Sequence, residues 1–453
     1  MVAMNLDKLL SKKIPLWVLL FTIILSLIIT ILFGAAVLNS STAKNIALIP
    51  KNLKKIIFDS DKEFVTSTER FSGQKKKFMQ FSNNPEDLKG YLLLSRYSHK
   101  KKRSIVELIE IKSNKIIHSW LPDIDKINSF SELPKQFNLK RNYSLKRYRI
   151  IHPLLLENGD LVFHSRSPLV KVTACSKMKW FIDKAFHHST ELDSEGNMWV
   201  PAINFPPITK GINVDLNRSD GQIFMEDTIE KVSQSGEVLF SKPIIQIFVE
   251  NNLIHTIPPG WKTGFGDFVD PVHLNDIQPV LSDGEFWKKG DVFVSLKHIS
   301  MIFLYRPSTN KVLWHQQGPW TLQHDVDVLN DHQISVFNNN LDEFMSPEGI
   351  GYSDTVIYDF KKNKSYSPYK SAYIKNKIST TMGGLSKVLK NGDIFVEETW
   401  GGRVLRMDKM GNIKWQYINK EENGKTYLLN WSRLLSENMY SSVVKKLTNI
   451  KCD

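Results

Sequence analysis

The sequence predicts an all-β fold, a six-bladed β-propeller, preceded by one N-terminal transmembrane helix. Beyond residue 80 the chain consists of short runs of β-branched and aromatic residues, and Gly, Asn, Asp and Lys turns separate these runs. A unit of strand, turn and strand then recurs along the chain and ends each time in a large aromatic residue. A third observation, an uncharged apolar stretch near the N-terminus, predicts the helix.

The apolar stretch covers residues 15–38 and follows three lysines within the first 13 residues. At about 1.5 Å per residue it can cross a hydrocarbon core of about 30 Å, and it is too long for the core of a typical signal peptide. The preceding lysines indicate that residues 1–13 form a cytoplasmic tail, although the lysines after the stretch weaken this assignment. We therefore predict a transmembrane anchor or uncleaved signal over 14–38, with the rest of the chain on the periplasmic or extracellular side of the cytoplasmic membrane. A leader cleaved after Ala43 is the alternative.

The charge and cysteine content exclude some classes of protein. The net charge is +13, from 60 basic and 47 acidic residues, which favours anionic ligands. The basic runs at 75–77 and 100–103 have no interleaved aromatic residues, so we read them as solvated loops and predict no nucleic-acid partner. Cys175 and Cys452 lie far apart and lack metal-ligand spacing, which excludes a disulfide framework and leaves two free thiols.

The repeat sets the predicted number of blades. A second hairpin signal precedes each copy, so that each unit supplies four strands, and six such units are typical of a six-bladed propeller. We place the propeller at 81–430, a linker at 39–80 and a C-terminal tail at 431–453. A β-sandwich or two unrelated β domains are the alternatives. The copies end at Trp120, Trp180, Phe240, Trp314, Tyr369 and Trp415.

Four of the six predicted blades carry a histidine at one equivalent position, just upstream of the turn of the innermost strand. The innermost strands of a propeller line its central axis, so these imidazoles are expected to converge there. They could bind an anion, transfer protons, act as nucleophiles or ligate a metal, or they could simply tie strands together through hydrogen bonds. No pair has the close spacing of metal ligands, and we predict no metal and no cofactor. The four are His152, His188, His273 and His324; the exceptions fall near Asn83 and Gly384.

Several motifs resemble the bacterial arylsulfotransferase family in order and spacing. They are "DPVHLNDI", "GDVFVSLKHIS", "VLWHQQGP" and "LQHDVDVL", followed by "ISVFNNN". The resemblance extends over about residues 90–417 and is strongest over 270–340. It implies a six-bladed propeller outside the cytoplasm. It also implies transfer of a sulfuryl group from an aryl sulfate to a phenol through a sulfated histidine, without 3'-phosphoadenylyl sulfate.

The resemblance also implies roles for individual residues. His273 matches the histidine of the family's His-x-Asn segment, with Asn275 beside it, and His324 matches the histidine of its Gln-His segment. Lys297 and His298 stand at the place of a basic-histidine pair. The implied catalytic residues are therefore His273, His324, Lys297 and His298, and the implied substrate-binding residues are His152, His188 and Asn275. The implied partner is a small anionic aryl sulfate or a phenol.

Two departures from the family separate the functional hypotheses. The segment after His324 contains no arginine where the family has one, and no histidine occurs after His332, where the family's sulfated histidine is expected. The first hypothesis is a divergent arylsulfotransferase-like enzyme that lacks this nucleophile. The second is a non-catalytic ligand-binding or scaffold propeller with an anion-binding axial pocket. The third is a metal-dependent enzyme built on the same imidazoles.

Overall fold

The computed structural model describes residues 16–37, 70–71, 73–133, 144–209, 223–257, 268–340 and 351–452. The predicted cytoplasmic tail and most of the predicted linker lie outside these residues. The chain divides into two compact units. One consists of residues 1–62 with 217–221, and the other contains the rest of the chain.

The described helices are few. Helix α1 lies in the first unit, and a search of the described residues finds no helix long and apolar enough to cross a membrane. The predicted transmembrane helix is therefore not confirmed. The other helices are short connections in the second unit, except for α5 near the C-terminus. The bounds are α1 Leu16–Val37, α2 Ile124–Ser129, α3 Ile244–Glu250, α4 Lys370–Lys375 and α5 Glu437–Asn449.

The second unit is built almost entirely from short strands, as the sequence predicted. Most have three to nine residues, because turn residues interrupt each apolar run. In chain order the strands of the first half are β1 Phe78–Gln80, β2 Tyr91–Ser98, β3 Arg103–Glu110, β4 Lys115–Trp120, β5 Ile151–Leu155, β6 Leu161–His164, β7 Ser167–Val172, β8 Met178–Phe186, β9 Glu191–Leu192, β10 Met198–Asn204, β11 Ile223–Phe224, β12 Glu226–Val232 and β13 Val238–Pro243. Those of the second half are β14 Phe268–Val269, β15 Leu274–Pro279, β16 Val292–Leu296, β17 Met301–Arg306, β18 Lys311–Gln317, β19 Val326–Val328, β20 Gln333–Asn338, β21 Asp354–Asp359, β22 Lys364–Tyr366, β23 Leu385–Val388, β24 Ile394–Glu398, β25 Arg403–Met407, β26 Ile413–Ile418 and β27 Arg433–Leu435.

These strands form an all-β, propeller-like arrangement of antiparallel sheets. Four sheets have four or five strands, in the orders β27-β2-β3-β4, β15-β16-β17-β18, β19-β20-β21-β22 and β1-β26-β25-β24-β23. An eight-stranded sheet has the order β13-β12-β10-β8-β7-β6-β5, with β9 paired to β10, and β11 pairs with β14. The all-β prediction is confirmed, whereas a count of six separate blades is not.

Two sheets are completed by strands from outside the predicted propeller range. Strand β27, in the predicted C-terminal tail, pairs with β2, and β1, in the predicted linker, pairs with β26. The two ends of the second unit are thus hydrogen-bonded into its sheets. Because β27 is the first strand of its sheet, the segment before it lies in the same position as the segments before the first strands of the other sheets.

The two cysteines are not free thiols, contrary to the expectation from their spacing. Cys175 and Cys452 form a disulfide across a sequence separation of 277 residues, with Cα atoms 5.3 Å apart. The bond holds the end of the chain beyond α5 against the β7–β8 turn. Helix α5 itself buries Val443, Val444 and Leu447 in the cluster formed with β2–β7. Sequence separation says nothing about distance in a closed fold, and this is why the expectation was wrong.

Buried strands hold the sheets together. The second and third strands of each sheet are almost wholly buried, as in β17, whereas the fourth alternates, as in β18. Clusters of aromatic residues fill the space between neighbouring sheets, for example Trp287, Trp314 and Phe360 between β16–β18 and β20–β21. Each such side chain contributes about 2–3 kcal/mol of burial free energy. This packing fixes the inner edges of the sheets, where the histidines lie.

Candidate functional site

The four predicted histidines converge on one centre, although they come from different parts of the chain. The ring of His188 lies 5.0 Å from that of His273 and 6.1 Å from that of His324, measured between centroids. The indole of Trp431 lies 5.3 Å from the His152 ring and 6.1 Å from the rings of His188 and His324. The convergence expected from the repeat is therefore present in the fold.

Each converging residue stands at or just before an innermost strand. His152 lies in β5, His188 precedes β9, His273 precedes β15 and His324 precedes β19. The equivalent position in the sheet of β27 and β2 is Trp431, and not the region of Asn83. The reason is that β27, from the C-terminus, is the innermost strand of that sheet.

The backbone is strained at this centre. His152, His188, His273 and Trp431 have φ angles of 41°, 61°, 55° and 64°, in the left-handed region that bulky residues rarely adopt. Such conformations cost about 1–3 kcal/mol each and persist only where the surroundings enforce them. At Trp431 the enforcing group is Glu397, whose Oε1 accepts the Trp431 N–H at 2.7 Å and whose Oε2 accepts the Ser432 N–H at 2.6 Å. The repeated strain indicates a position shaped to aim side chains at the centre.

Asp270 orients two of the imidazoles. Its carboxylate pairs with Nδ1 of His273 and accepts the His273 backbone N–H at 3.0 Å. Its backbone oxygen lies 2.7 Å from Nδ1 of His298, which must therefore carry the proton. The rings of His273 and His298 lie 4.5 Å apart, and no described residue hydrogen-bonds to the Nε2 atom of either. Both Nε2 atoms thus present a lone pair while their Nδ1 atoms are held.

His188 adds a third imidazole with a free nitrogen. Its Nδ1 lies 2.7 Å from Nδ1 of His187, and Nε2 of His187 lies 3.2 Å from a carboxylate oxygen of Asp227. Within the described part of the chain nothing bonds to Nε2 of His188. His187 was not among the predicted site residues, since only its neighbour occupies the repeated position.

His324 and His152 are bound to the scaffold through both ring nitrogens. Nδ1 of His324 lies 2.6 Å from Oδ1 of Asn339, and Nε2 accepts the N–H of Gly383 at 3.1 Å. Nδ1 of His152 accepts the N–H of Thr190 at 3.2 Å, and its Nε2 lies 3.4 Å from the carboxylate of Glu191. Only 2% and 4% of these two residues are exposed. Their rings pack against Trp431 and line the site with it.

Two cations flank the three open imidazoles. Lys297, in the turn between β16 and β17, is 5% exposed, and its ammonium has no hydrogen bond or ion pair with another described residue. Arg166, in the turn between β6 and β7, is half-buried, and its guanidinium likewise has no such partner among the described residues. Buried cations are normally paired directly, so two cations without a bonded carboxylate favour an anionic ligand, while the buried carboxylate of Asp270 acts on both through its charge.

Burial holds two of the three imidazoles, those of His188 and His273, neutral. Burial lowers the pKa of His188 and His273 well below the usual range, and the charge of Lys297 lowers the pKa of His273 further. Burial also lowers the pKa of Lys297 itself, although Asp270 opposes this shift. A neutral imidazole keeps its lone pair available for attack on an electrophile, and the buried cation beside it favours an anionic ligand.

Comparison with known proteins was made at the level of family, sequence and structure. A model of the arylsulfotransferase (ASST) family matches residues 152–420, which is more than half of the chain. The chain belongs to the arylsulfotransferase family. A comparison with curated proteins finds no match.

Several solved structures have some similarity to this arylsulfotransferase-family chain. A protein of unknown function from Bacteroides caccae has 13% identity and a TM-score of 0.47, covering 77% of this chain and 99% of its own. Hydrazine synthase from Kuenenia stuttgartiensis has 9% identity and a TM-score of 0.38, covering 73% and 80%. An inactive virginiamycin B lyase from Staphylococcus aureus, solved with quinupristin, has 10% identity and a TM-score of 0.32, covering 60% and 71%.

One group in this arylsulfotransferase-family site has donors that could hold a metal ion. One ligand atom each of Asp270, His273 and His298 lies within 4.8 Å of the others, and two imidazoles with one carboxylate are a known ligand set. Asp270 already bonds Nδ1 of His273 and, through its backbone, Nδ1 of His298. The neighbouring Lys297 would also repel a cation. The bonds of Asp270 leave both Nε2 atoms able to ligate a metal, so it is the charge of Lys297 that disfavours a cation here.

The remaining predicted residue, Asn275, lies deeper in the protein. It is fully buried, and its Nδ2 donates to the backbone oxygen of Gln323 at 2.8 Å. This bond ties the start of β15 to the segment that carries His324. Asn275 thus aligns two histidine-bearing segments.

Sequence reasoning missed three residues of the site. Asp270 had a usable signal, because it stands three residues before His273 in the same turn. Trp431 and Arg166 had none, since neither matches the histidine repeat and both reach the site from segments that are remote in sequence.

Proposed function

We propose that this protein transfers a sulfuryl group from an aryl sulfate to a phenolic acceptor at the site formed by His188, His273, His298 and Lys297. Membership of the arylsulfotransferase family supports the reaction type. The observation that carries the proposal is the combination of three imidazoles, two of them held neutral, whose Nε2 atoms bond to no described residue, with a buried ammonium that likewise has no partner among the described residues. A sulfate ester supplies the missing negative charge and a sulfur atom that an imidazole can attack.

His273 is the imidazole best prepared to react. Its Nδ1 is held by the carboxylate of Asp270, so that Nε2 carries the lone pair, and Asp270 stabilises positive charge that develops on the ring. His324 lacks this freedom because Asn339 and Gly383 occupy both of its nitrogens. The nucleophile therefore lies in a different place from the late histidine that the family resemblance implies.

The proposed sulfuryl transfer takes place in two steps. Nε2 of His273 attacks sulfur, the bond from sulfur to the aryl oxygen breaks, and the phenolate leaves. The acceptor phenol then gives its proton to the open Nε2 of His298, its oxygen attacks the sulfur, the bond from sulfur to Nε2 of His273 breaks, and the new sulfate ester leaves with His273 neutral again. The proton finally passes from His298 to the phenolate released in the first step. The transition state of such a transfer is loose and places charge on the peripheral oxygens, where the ammonium of Lys297 stabilises it.

We also propose the finer architecture and location that the sequence predicts. The eight-stranded sheet contains two four-stranded meanders, β5–β8 and β9, β10, β12 and β13, which would bring the number of blades to six. A propeller on the periplasmic or extracellular side, with residues 14–38 as anchor, agrees with the disulfide, because such bonds persist in oxidising compartments. A membrane-fraction assay with external protease would test this location.

The activity is tested with purified full-length protein, 4-nitrophenyl sulfate and a phenol acceptor. We expect nitrophenol release that depends on the acceptor and follows ping-pong kinetics. His273→Gln should abolish it, whereas His255→Gln, at an exposed position, should not change it. His324→Gln should retain measurable transfer in the fraction that folds, as judged by circular dichroism.

Three outcomes would contradict the proposal. Full activity of His273→Gln, or loss of sulfuryl transfer in a folded His324→Gln variant, would show that His273 is not the nucleophile. Binding of the aryl sulfate without turnover would support the non-catalytic hypothesis instead. Loss of activity with a chelator and recovery with a divalent metal would support the metal-dependent one.

A further inference from the structure

The turn between β6 and β7 places a charged residue against the histidine centre. Ser167, the first residue of β7, pairs in register with Phe186, which directly precedes His187 and His188. At the other end of the turn, His164 closes β6, and its Nε2 lies 3.2 Å from Oγ1 of Thr190. The turn is thus attached on both sides to the segment that carries His188. Arg166 stands between these two attachment points.

The turn is rigid enough to aim a side chain. Oγ of Ser165 accepts the backbone N–H of Arg149 at 3.0 Å, and Oγ of Ser167 accepts the N–H of Ser165 at 2.9 Å. The hydroxyl of Tyr148 also lies 3.0 Å from Oγ of Ser167. Both serines are buried, and Arg166 has a left-handed φ of 55° between them. A buried hydrogen-bond network of this kind fixes the direction of the residue that it encloses.

The charge of Arg166 acts on the groups of the site, including Lys297. It lowers the pKa of His187, His188 and His273, where burial is the larger cause, and it also lowers the pKa of Lys297. An arginine that only completed a structural ion pair would have its carboxylate in contact. Among the described residues no carboxylate or carbonyl bonds to this guanidinium.

We propose that Arg166 is a substrate-binding residue that grips the sulfuryl oxygens together with Lys297. This inference rests on the proposed function and names a further residue of the same site. A guanidinium offers planar paired donors that match two oxygens of a sulfate ester, which a single ammonium cannot do. Arg166 supplies, from a different part of the chain, the arginine that the family resemblance places after His324 and that this sequence lacks there.

The test compares Arg166→Gln, Arg166→Lys and Lys102→Gln in the full-length protein. Lys102 is a matched control, because it is an exposed cation with a φ of 52° in the turn between β2 and β3. Dissociation constants for inorganic sulfate and 4-nitrophenyl sulfate are measured by calorimetry, and kcat and KM are measured for donor and acceptor separately. Circular dichroism checks that each variant is folded.

We expect Arg166→Gln to lower the affinity for both anions by about 10- to 100-fold, the loss typical of a charge-assisted hydrogen bond. KM for the donor should rise, while KM for an uncharged phenol acceptor should stay constant. Arg166→Lys should recover part of the affinity, since it restores charge but not the paired donors. Lys102→Gln should bind both anions as the wild type does.

Two results would overturn the inference and can be told apart. If Arg166→Gln binds both anions within a factor of two of the wild type while Lys297→Gln does not, Arg166 is outside the site and the proposed function stands. If the wild type binds neither anion nor turns over the aryl sulfate, both this inference and the proposed function fail. If Arg166→Gln fails to fold, Arg166→Lys still tests the inference, because the inference requires this variant to keep part of the wild-type affinity for both anions.

Discussion

Nδ1 of His324 lies 2.6 Å from Oδ1 of Asn339, and the amide of Asn339 donates to the backbone oxygens of Thr380 and Gly383, each at 2.8 Å. Since these two donor bonds fix the direction of the Asn339 amide, its oxygen must accept the proton of the imidazole. His324 therefore joins β19 to the segment before β23, and its ring has no free lone pair.

This relationship predicts that Asn339 matters more for stability than for chemistry. Asn339→Ala removes three buried hydrogen bonds and leaves His324 and two carbonyls unpaired, so the free energy of unfolding should fall by about 1–3 kcal/mol or more. Urea unfolding followed by fluorescence measures the change. Asn330→Ala, at an exposed turn, is the control and should change stability by less than about 0.5 kcal/mol. Equal stability of Asn339→Ala and the wild type would contradict this assignment.

Asp270→Asn should slow sulfuryl transfer by a factor on the order of 10². An asparagine cannot stabilise the positive charge on His273, and its amide group can force the wrong tautomer on the ring. Sulfate affinity should change much less than kcat. Asp291→Asn is a matched control, because Asp291 is also a buried carboxylate but pairs with Arg306 away from the site. A loss confined to KM would show that Asp270 serves binding alone.

Lys297 makes sulfate binding dependent on pH. Burial lowers the pKa of its ammonium below the usual 10.5, so the cation is lost as the pH rises through the lowered pKa. The dissociation constant for inorganic sulfate should therefore rise in alkaline solution before an ordinary lysine would titrate. Lys297→Arg should remove this dependence, since a guanidinium stays charged. A flat profile for the wild type up to about pH 10 would contradict the shift.

The disulfide between Cys175 and Cys452 should stabilise the second unit. Removing either cysteine releases the end of the chain beyond α5 and should lower the free energy of unfolding by about 2–5 kcal/mol. The double serine variant should match each single variant, because only one bond is lost. Melting of the three variants with and without a reductant measures this, and the reductant should lower the Tm of the wild type alone. If the Tm of the wild type did not change when reductant was added after partial unfolding, the disulfide assignment would be contradicted.

The buried histidines should make the protein less stable in acid. Burial lowers the pKa of His164 to about 3, against about 6.5 in the unfolded chain. Between these values the unfolded state binds the extra proton, so stability falls as the pH falls from about 6.5 towards 3. His164→Gln should reduce this slope by up to about 1.4 kcal/mol per pH unit. His255→Gln is the exposed control, and an unchanged slope in His164→Gln would contradict the prediction.

Part of this fold and site could be read from the sequence because it repeats. The period of strand, turn and aromatic residue predicts the all-β architecture, and the similar spacing of His152, His188 and His324 from their turns, seven or eight residues, predicts that they converge. The same reasoning could not find Trp431, because the innermost strand of its sheet comes from the far end of the chain. It also could not separate free imidazoles from engaged ones.

The sequence by itself determined that the repeated histidines reach the centre, since the position of a residue in a repeated strand fixes where its side chain points. Only the tertiary structure decided what each of them can do there. Whether an imidazole links strands through hydrogen bonds or can react depends on which neighbours bond to its nitrogens. Asn339 bonds to His324 and Asp270 to His273 through contacts that the repeat does not encode. The disulfide was likewise decided by chain closure, which brings together segments that are distant in sequence, and the position of Arg166 was decided by the pairing of β7 with β8.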